Sequence, residues 1–254
     1  MKLFDSKAFI VLILVVLLAG VGCAHKRSAN APWDISPNSA FTHDVVQRYV
    51  AASDQQKDRL RGVSMEIEID AQLPRLKKSG TLHALRKISG LGRITYDLFR
   101  FSGDDTVKKD VIARYLRAET EAQETTESLD ITPKNYKFRY KGVTSRNGQD
   151  VHVFEVKPFE KRVGLFKGQI WIDSATYLPV REEGEFVKNP SVFLKSVRFA
   201  RDYNIQQGIA VPARIQSTVD TRLVGKAELT INFSNFSKLP GERAANIPSS
   251  THEP

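Results

Sequence analysis

Apolar and polar residues alternate one for one through long parts of this chain, and only an extended strand places neighbouring residues on opposite faces. From Val63 to Leu73 every odd-numbered residue is apolar and every even-numbered residue is polar. The other segments predicted as strands are Gly80–Ile88, Arg93–Phe101, Tyr136–Val143, Val151–Val156, Gly168–Ile172, Val180–Val187, Val192–Tyr203, Ile209–Thr221 and Val224–Phe236. Strands with one apolar face are typical of antiparallel sheets, so the predicted fold class is mainly β.

The connections between these strands are short and have turn-forming sequences. Asn147 and Gly148 are a residue pair preferred in two-residue hairpins, because both residue types tolerate positive backbone φ angles. The link Asp173–Pro179 joins two further strands over a similar short distance. Short links join strands that are neighbours in space, so we predict an up-and-down meander.

One segment ahead of the strands has a helical period instead. Between Thr42 and about Lys57, the apolar residues that fall on a single helical face are Val45, Val46, Tyr49 and Val50. This spacing predicts one amphipathic helix before the sheet.

The stretch Asp105–Gln123 fits two kinds of secondary structure. Its apolar residues match one face of a helix, and a strand over Val111–Leu116 fits the same residues. The sequence leaves both open. The overlapping segment Glu119–Leu129 is mostly polar and is predicted to form a loop.

The first residues of the chain follow the order of a bacterial export signal. Lys2 and Lys7 form a short basic start ahead of the apolar run Ala8–Leu18, and small residues then lead to Cys23, the one cysteine of the chain. The run is shorter than the roughly 20 residues that span a bilayer as a helix. This order resembles the lipobox of bacterial lipoproteins, which implies cleavage before Cys23 and acylation of its thiol. Two acyl chains hold a protein stably on a membrane.

The sequence therefore predicts four regions. Residues 1–22 are a lipoprotein signal peptide, and residues 23–40 are a flexible polar tether. Residues 41–236 form the β domain, and residues 237–254 are a disordered tail without an apolar period. The predicted location is the cell envelope, lipid-anchored, at the outer membrane and facing the periplasm.

Composition argues against several other functions. A single cysteine excludes a disulfide framework and any metal site that needs several thiolates. The five histidines have no metal-ligand spacing, and no nucleophile elbow, phosphate-binding loop or dinucleotide motif occurs. We therefore predict no metal, no cofactor and no catalytic residue. The net charge of +9 favours an anionic membrane surface, and the export signal argues against nucleic acid as a partner.

An acidic row, Glu66, Glu68 and Asp70, lies on the polar face of the first strand. Three carboxylates in a row are also found at cation sites, but the two-residue period places these in water. We predict exposed charges that face Arg86 and Lys87 of the neighbouring strand.

The sequence Gly-Gln-Ile-Trp-Ile-Asp at 168–173, followed by Leu-Pro-Val-Arg at 178–181, resembles the outer-membrane lipoprotein-sorting superfamily. That superfamily includes a periplasmic lipoprotein carrier and its lipidated outer-membrane receptor, and the resemblance in layout covers roughly residues 42–236. It implies a strongly curved, incomplete β-barrel of roughly nine to eleven strands. One to three helices would cover the apolar concave side.

The same resemblance implies a ligand class. The predicted function is a membrane-anchored lipoprotein that binds a hydrophobic ligand, a lipid or the acyl chains of a lipoprotein, for sorting or insertion in the envelope, without catalysis. The alternative is a module that uses this fold to bind an envelope protein and transfers no lipid.

Apolar residues on the inward faces of four strands are the candidates for ligand contact, since an acyl chain gains about 0.8 kcal/mol per buried methylene. They are Met65, Ile67, Ile69, Leu82, Ile215, Leu229 and Ile231. The same side chains fit a dry core equally, because apolar stripes usually pack against the protein itself.

A second candidate is a loop with two large apolar residues, Leu165 and Phe166, between the basic residues Arg162 and Lys167. This pattern predicts a membrane-contact loop whose apolar side chains enter the interface while the cations meet phosphates. The alternative is that both side chains begin the next strand and point inward.

Overall fold

Ten strands pair into one antiparallel sheet in the computed structural model, which describes residues 39–122, 129–189, 194–222 and 225–239. The strands are β1 (Val63–Leu73), β2 (Lys78–Ile88), β3 (Ile94–Gly103), β4 (Tyr136–Arg146), β5 (Gln149–Pro158), β6 (Phe166–Asp173), β7 (Pro179–Phe186), β8 (Leu194–Gln206), β9 (Ile209–Thr221) and β10 (Lys226–Lys238). Every segment with a two-residue period forms a strand, so the predicted mainly β class is confirmed.

The strand order is β3-β2-β1-β10-β9-β8-β7-β6-β5-β4. Strands that follow one another in sequence are neighbours, as in the predicted meander, with one exception. The last strand returns to the first, where Ile69 lies opposite Ile231, while β3 and β4 do not pair with each other. The sheet therefore curves around without closing, and the predicted incomplete barrel is confirmed.

Helix α1, Ser39–Arg59, covers part of the concave side. Its start lies against β4, where the rings of Phe41 and Tyr140 meet edge to face at 5.7 Å. Its end lies at the β8–β9 turn, where Arg59 Nη1 donates a 3.1 Å hydrogen bond to the carbonyl oxygen of Gly208. The predicted amphipathic helix is confirmed, because Val45, Val46 and Tyr49 are buried and Val50 is half-buried against the core.

The ambiguous stretch after β3 is helical. It comprises α2 (Asp105–Val107), a π-helical turn (Lys108–Ile112) and α3 (Ala113–Ala122). Asp104 caps it, since its carboxylate accepts hydrogen bonds from the backbone N–H groups of Thr106 and Val107 at 2.8 and 3.3 Å. This helical segment packs over β1, β2 and β3, with Val107 and Ile112 fully buried.

The loop predicted from Glu119 onward begins later than expected. Helix α3 continues through Ala122, and Glu119 is buried because its carboxylate pairs with Arg86 of β2. The remaining loop residues up to 128 lie outside the described part of the chain.

The acidic row of β1 faces away from the core, as predicted. The predicted pairing of these carboxylates with Arg86 and Lys87 is wrong. Glu68 lies 3.5 Å from Nε2 of His83, whereas Lys87 pairs with Asp97 of β3 at 2.7 Å. Arg86 lies on the inner face instead, because it stands in phase with the inward residues of β2 and opposite Met65.

Residues 1–38 and 240–254 lie outside the described chain, and with them the signal peptide, most of the tether and most of the tail. The lipidation of Cys23 and the four predicted regions therefore stay predictions. Of the helices that the structure describes, none combines the length and the apolar character needed to cross a bilayer.

An aromatic cluster holds the start of α1, and it contains a titratable group. His152 of β5 is 7% exposed and lies 5.6 Å from the ring of Phe41, while the hydroxyl of Tyr140 lies 3.3 Å from its Nδ1. Burial lowers the pKa of His152 below its ordinary 6.5, although the negative charges of Asp150 and Asp173 act in the opposite direction.

We expect this histidine to make the domain less stable in mild acid. A proton binds more weakly to the folded than to the unfolded chain, so its contribution is complete above pH 6.5 and is lost as the pH falls through the lowered folded-state pKa. Urea unfolding as a function of pH should show this loss in the wild type and not in His152→Phe. The exposed His83→Gln is the control, and an unchanged slope in His152→Phe would contradict the assignment.

Candidate functional site

A cavity of about 210 Å³ lies beneath the C-terminal half of α1, between that helix and the inner face of the sheet. Its apolar lining includes Val50, Leu60, Met65, Ile88, Ile94, Leu129, Ile131 and Phe166. Its polar lining includes Ser53, Lys57, Arg86, Asp130, Glu182, Arg201 and Tyr203. The interior of the barrel is therefore amphipathic, whereas the sequence predicted an apolar hollow.

The segment 129–132 forms one wall of this cavity and is tied to α1 by an ion pair. Lys57 Nζ lies 3.0 Å from Oδ2 of Asp130 and 2.9 Å from Oδ1 of Asp54. This contact links the helix to the chain that leads into β4, so movement of either one changes the cavity wall.

Strand β8 places a charged residue inside the barrel. Val197, Phe199 and Arg201 alternate on the buried face, and the Arg201 guanidinium lies 4.8 Å from the centroid of the Phe199 ring. Its Nη1 donates a 2.9 Å hydrogen bond to Oε2 of Glu182 on β7, and both side chains are at most 8% exposed. A buried charge is costly unless it is paired, which explains why the two residues occur on adjacent strands.

The guanidinium of Arg201 also interacts with the hydroxyl of Tyr203, two residues later on the same strand. On α1, the hydroxyl of Ser53 interacts in the same way with that of Tyr49. Burial, together with the negative charge of Glu182, raises the pKa of Tyr203 well above its ordinary value. Its hydroxyl therefore stays protonated up to a higher pH than that of an exposed tyrosine.

A second ion pair joins the helical segment to the sheet. Nη2 and Nε of Arg86 donate to Oε1 of Glu119 at 2.8 and 3.2 Å, and Nη1 lies 3.8 Å from the sulfur of Met65. Burial raises the pKa of Glu119, and the positive charges of Arg86 and Arg201 oppose that shift. The pair anchors α3 over β2 on the side of the barrel where the sheet is open.

These charged residues had a sequence signal that the hydrophobic pattern alone does not reveal. Arg201 stands two residues after Phe199, and Arg86 stands two residues after Ala84, so each is in phase with the inward apolar side of its strand. A charge in an inward position predicts either a buried pair or a binding group.

The structure buries all seven predicted ligand-contact residues but distributes them unequally. Their exposed fractions do not exceed 7%. Of the seven, Met65 lines the cavity. The other six belong to the packed core, which the helical segment covers over β1 and β2. Contact of these six with a ligand stays a prediction.

Leu165 and Phe166 also lie inside the molecule. They are 1% and 2% exposed, and Phe166 begins β6 and lines the cavity from within. Both side chains point inward, which was the alternative to a membrane-contact loop. The ring of Phe166 packs against those of Tyr136 and Phe199. In this structure neither side chain is available for insertion into a membrane.

The described residues contain no group of three or more histidine, cysteine, aspartate or glutamate side chains placed to hold a metal ion. The cavity instead offers hydrogen-bond donors and apolar surface. Such a site can bind and orient a molecule that has one polar end and one apolar end.

No protein-family model matches the chain, and no curated protein is significantly similar to it. Solved structures do match. A DUF1329 family protein from Desulfovibrio piger shares 15% identity with a TM-score of 0.44, and the match covers 78% of this chain and 93% of that one. A putative outer membrane lipoprotein-sorting protein domain from Vibrio parahaemolyticus shares 16% identity with a TM-score of 0.39, over 79% and 93% of the two chains.

A LolA superfamily protein from Nitrosomonas europaea shares 14% identity with a TM-score of 0.33, over 76% of this chain and 93% of that one. At these identities the likeness concerns the fold.

Proposed function

We propose that this protein is a lipid-anchored envelope protein that binds a hydrophobic or amphipathic ligand in the hollow of its incomplete barrel. The observation that carries the proposal is the cavity beneath α1, which combines a mainly apolar lining with a few convergent polar groups. Pockets for small molecules have this composition. The ligand class implied by the hairpin resemblance, a lipid or the acyl chains of a lipoprotein, fits such a lining.

The order of residues before the domain supports the anchoring part of the proposal. A basic start, an apolar run and Cys23 are arranged as in a bacterial lipoprotein signal. We propose that the thiol of Cys23 is acylated, and that the domain works on the periplasmic side of the outer membrane in sorting or insertion of its ligand. Binding, and no catalysed reaction, is the proposed activity.

Cavity size sets a condition on this function. About 210 Å³ lies below the roughly 300–1,000 Å³ of drug-sized pockets. It exceeds the roughly 150 Å³ of an apolar cavity that binds benzene. A complete lipid therefore requires α1 and the 129–132 segment to move outward, whereas part of one acyl chain fits the cavity as it stands.

Filling the cavity should remove the ligand. Val50 lines it from α1, so Val50→Phe adds volume where space exists and should exclude co-purifying lipid with little loss of stability. Val46, one turn earlier on the same helix, is 2% exposed in packed core, and Val46→Phe should cost about 1–3 kcal/mol by overpacking. Solvent extraction and mass spectrometry of gently purified protein measure the lipid, and urea unfolding measures the stability.

The proposal fails if the wild type contains no extractable lipid and takes up none from vesicles. A protein partner that co-purifies with an empty domain in constant ratio would support the interaction module instead. Equal lipid content in wild type and Val50→Phe would place the ligand outside this cavity.

A further inference from the structure

The part of the sheet formed by β4, β5 and the start of β6 carries a concentration of positive charge. Residues 134–167, which run from just before β4 to the second residue of β6, contain nine lysine and arginine residues and three acidic residues. The whole chain has a net charge of +9. This short part of the chain therefore supplies most of the surplus.

Strand register gathers three of these lysines into one row. Lys137 of β4 lies directly opposite Lys157 of β5, and the pairing of Val156 with Gly168 brings Lys167 of β6 to the other side of Lys157. All three lysines are exposed, on the face opposite the buried positions of their strands. Neighbouring strands are about 4.8 Å apart, so this lysine row spans roughly 10 Å on the outer face.

The lysine row is unfavourable for the sheet itself, because like charges directly opposite each other on neighbouring strands destabilise their pairing. Lysine on an edge strand commonly prevents pairing with other chains, and β4 is an edge of this sheet, so that role accounts for Lys137. It does not account for Lys157 and Lys167, because β5 and β6 are each paired on both sides. The lysine row therefore favours a negatively charged partner.

The acidic residues closest to the lysine row in sequence already have cationic partners. Glu155 and Glu160 are each matched by an arginine. Glu185 of β7 lies 3.5 Å from Nζ of Lys167, yet 60% of the Lys167 side chain is exposed. Exposed ion pairs contribute little, so Lys167 can also interact with an external anion. The region thus keeps its surplus of positive charge on the side that faces water.

An exposed aromatic residue lies beside the lysine row. Phe159, the second residue after Lys157, is 55% exposed, and its backbone N–H donates a 3.0 Å hydrogen bond to the carbonyl oxygen of Asn135, just before β4. Lys134 and Lys161 are close to these two residues in sequence and are exposed as well. Cations around a large apolar side chain are typical of surfaces that bind anionic membranes, because the apolar group enters the interface while the cations meet phosphates.

We propose that this outer face docks the domain on the anionic phospholipid surface of a membrane, with the lysine row on the phosphates and Phe159 in the interface. The sequence predicted a membrane contact in the same part of the chain, but at Leu165 and Phe166, which are buried. The inference goes beyond the proposed function and does not depend on what the cavity binds. The proposed acylation of Cys23 brings the domain near a membrane, and this face determines which side of the domain meets it.

Vesicle partition tests the proposal. The full chain with Cys23→Ser lacks the acylated thiol, and its partition is measured by co-sedimentation with vesicles of phosphatidylcholine alone and of phosphatidylcholine mixed with phosphatidylglycerol. A basic residue near an anionic surface contributes about 1 kcal/mol, which corresponds to about fivefold in partition coefficient. Removing the lysine row by Lys137→Gln, Lys157→Gln and Lys167→Gln together should lower partition on the anionic vesicles by about 100-fold and leave partition on the neutral vesicles unchanged.

Matched variants separate this face from net charge and from exposed apolar area in general. Arg100→Gln on β3, with Lys226→Gln and Lys238→Gln at the two ends of β10, removes the same charge from exposed positions. Partition on anionic vesicles should then fall less than about fivefold, because salt screens charges beyond about 10 Å. Phe159→Ser should weaken binding to both kinds of vesicle several-fold, whereas Val143→Ser, a residue of β4 with 54% exposure away from the lysine row, should not.

Three results would overturn the proposal. Equal losses in the two triple variants would show that net charge, and not the lysine row, attracts the chain to the membrane. A chain without preference for anionic vesicles has no membrane-docking face, and an acidic protein that then binds the lysine row would be its partner. Equal effects of Phe159→Ser and Val143→Ser would remove Phe159 from the contact. Extraction of lipid from the cavity is a separate measurement, so failure of the proposed function is distinguished from failure of docking.

Discussion

Replacing Glu119 by leucine should lower the free energy of unfolding by about 3–5 kcal/mol, because it leaves the charge of Arg86 buried without its partner. Arg86 is 3% exposed, and its Nε and Nη2 both donate to this one carboxylate. The stability of small domains is itself about 5–15 kcal/mol, so the variant should be close to unfolding. Urea unfolding followed by circular dichroism measures the change.

A second substitution tests the cause of that loss. In Glu119→Leu with Arg86→Met no charge remains in the interior at this position, and most of the lost stability should return, since apolar replacements of buried pairs are often neutral. The exposed pair of Lys226 and Glu228, 2.6 Å apart, provides the control: Lys226→Ala should change stability by less than about 1 kcal/mol. A single variant Glu119→Leu as stable as the wild type would show that the carboxylate does not hold α3 on β2.

Alanine at Gly168 should also destabilise the protein, by about 1–3 kcal/mol or more. Gly168 of β6 lies directly opposite Gly184 of β7, and a Cβ atom on Gly168 would overlap the carbonyl oxygen of Glu183 and the Cα atom of Gly184. The contact is with backbone, so no side chain can rotate away. The two strands would have to separate at the hairpin whose sequence resembles the lipoprotein-sorting proteins.

Two other positions calibrate this effect, one beside Gly168 and one on β2. Lys167→Ala changes the adjacent residue, whose side chain is 60% exposed, and should leave the unfolding midpoint nearly unchanged. Gly80→Ala brings a Cβ to 3.2 Å from a methyl group of Val107, which can shift slightly, so its cost should be intermediate. If Gly168→Ala unfolds at the same urea concentration as Lys167→Ala, the close approach of β6 and β7 is not required.

Much of this fold was predictable because half-buried strands give the simplest pattern in sequence. In β1 and β9 polar residues on the solvent-facing side alternate with apolar residues on the buried side. The predicted bounds of both strands are the same as those in the structure. The helical segment after β3 was ambiguous, since its apolar residues satisfy two periods. Asp104, which caps that segment, is a helix-start signal that the apolar pattern does not include.

The interior chemistry was not predictable from the same pattern. Hydrophobic alternation identifies which face is inward, but it does not say which inward positions touch other side chains and which line a cavity. Met65 and Ile67 occupy equivalent positions of β1, yet Met65 lines the cavity and Ile67 lies in packed core. The placement of Arg86 and Arg201 depends on partners in α3 and β7, which are distant in sequence and invisible to a local period.

The pairing of β1 with β10 affects how the chain reaches this structure. Every other strand contact joins consecutive strands, whereas this one brings together the first and last strands of the sheet. A contact between distant parts of a chain raises the contact order and slows folding, since a long loop must close before the contact forms. Until β10 is available, β1 and β9 each keep an unpaired edge, so the sheet can be completed only after the chain has been synthesised through Lys238.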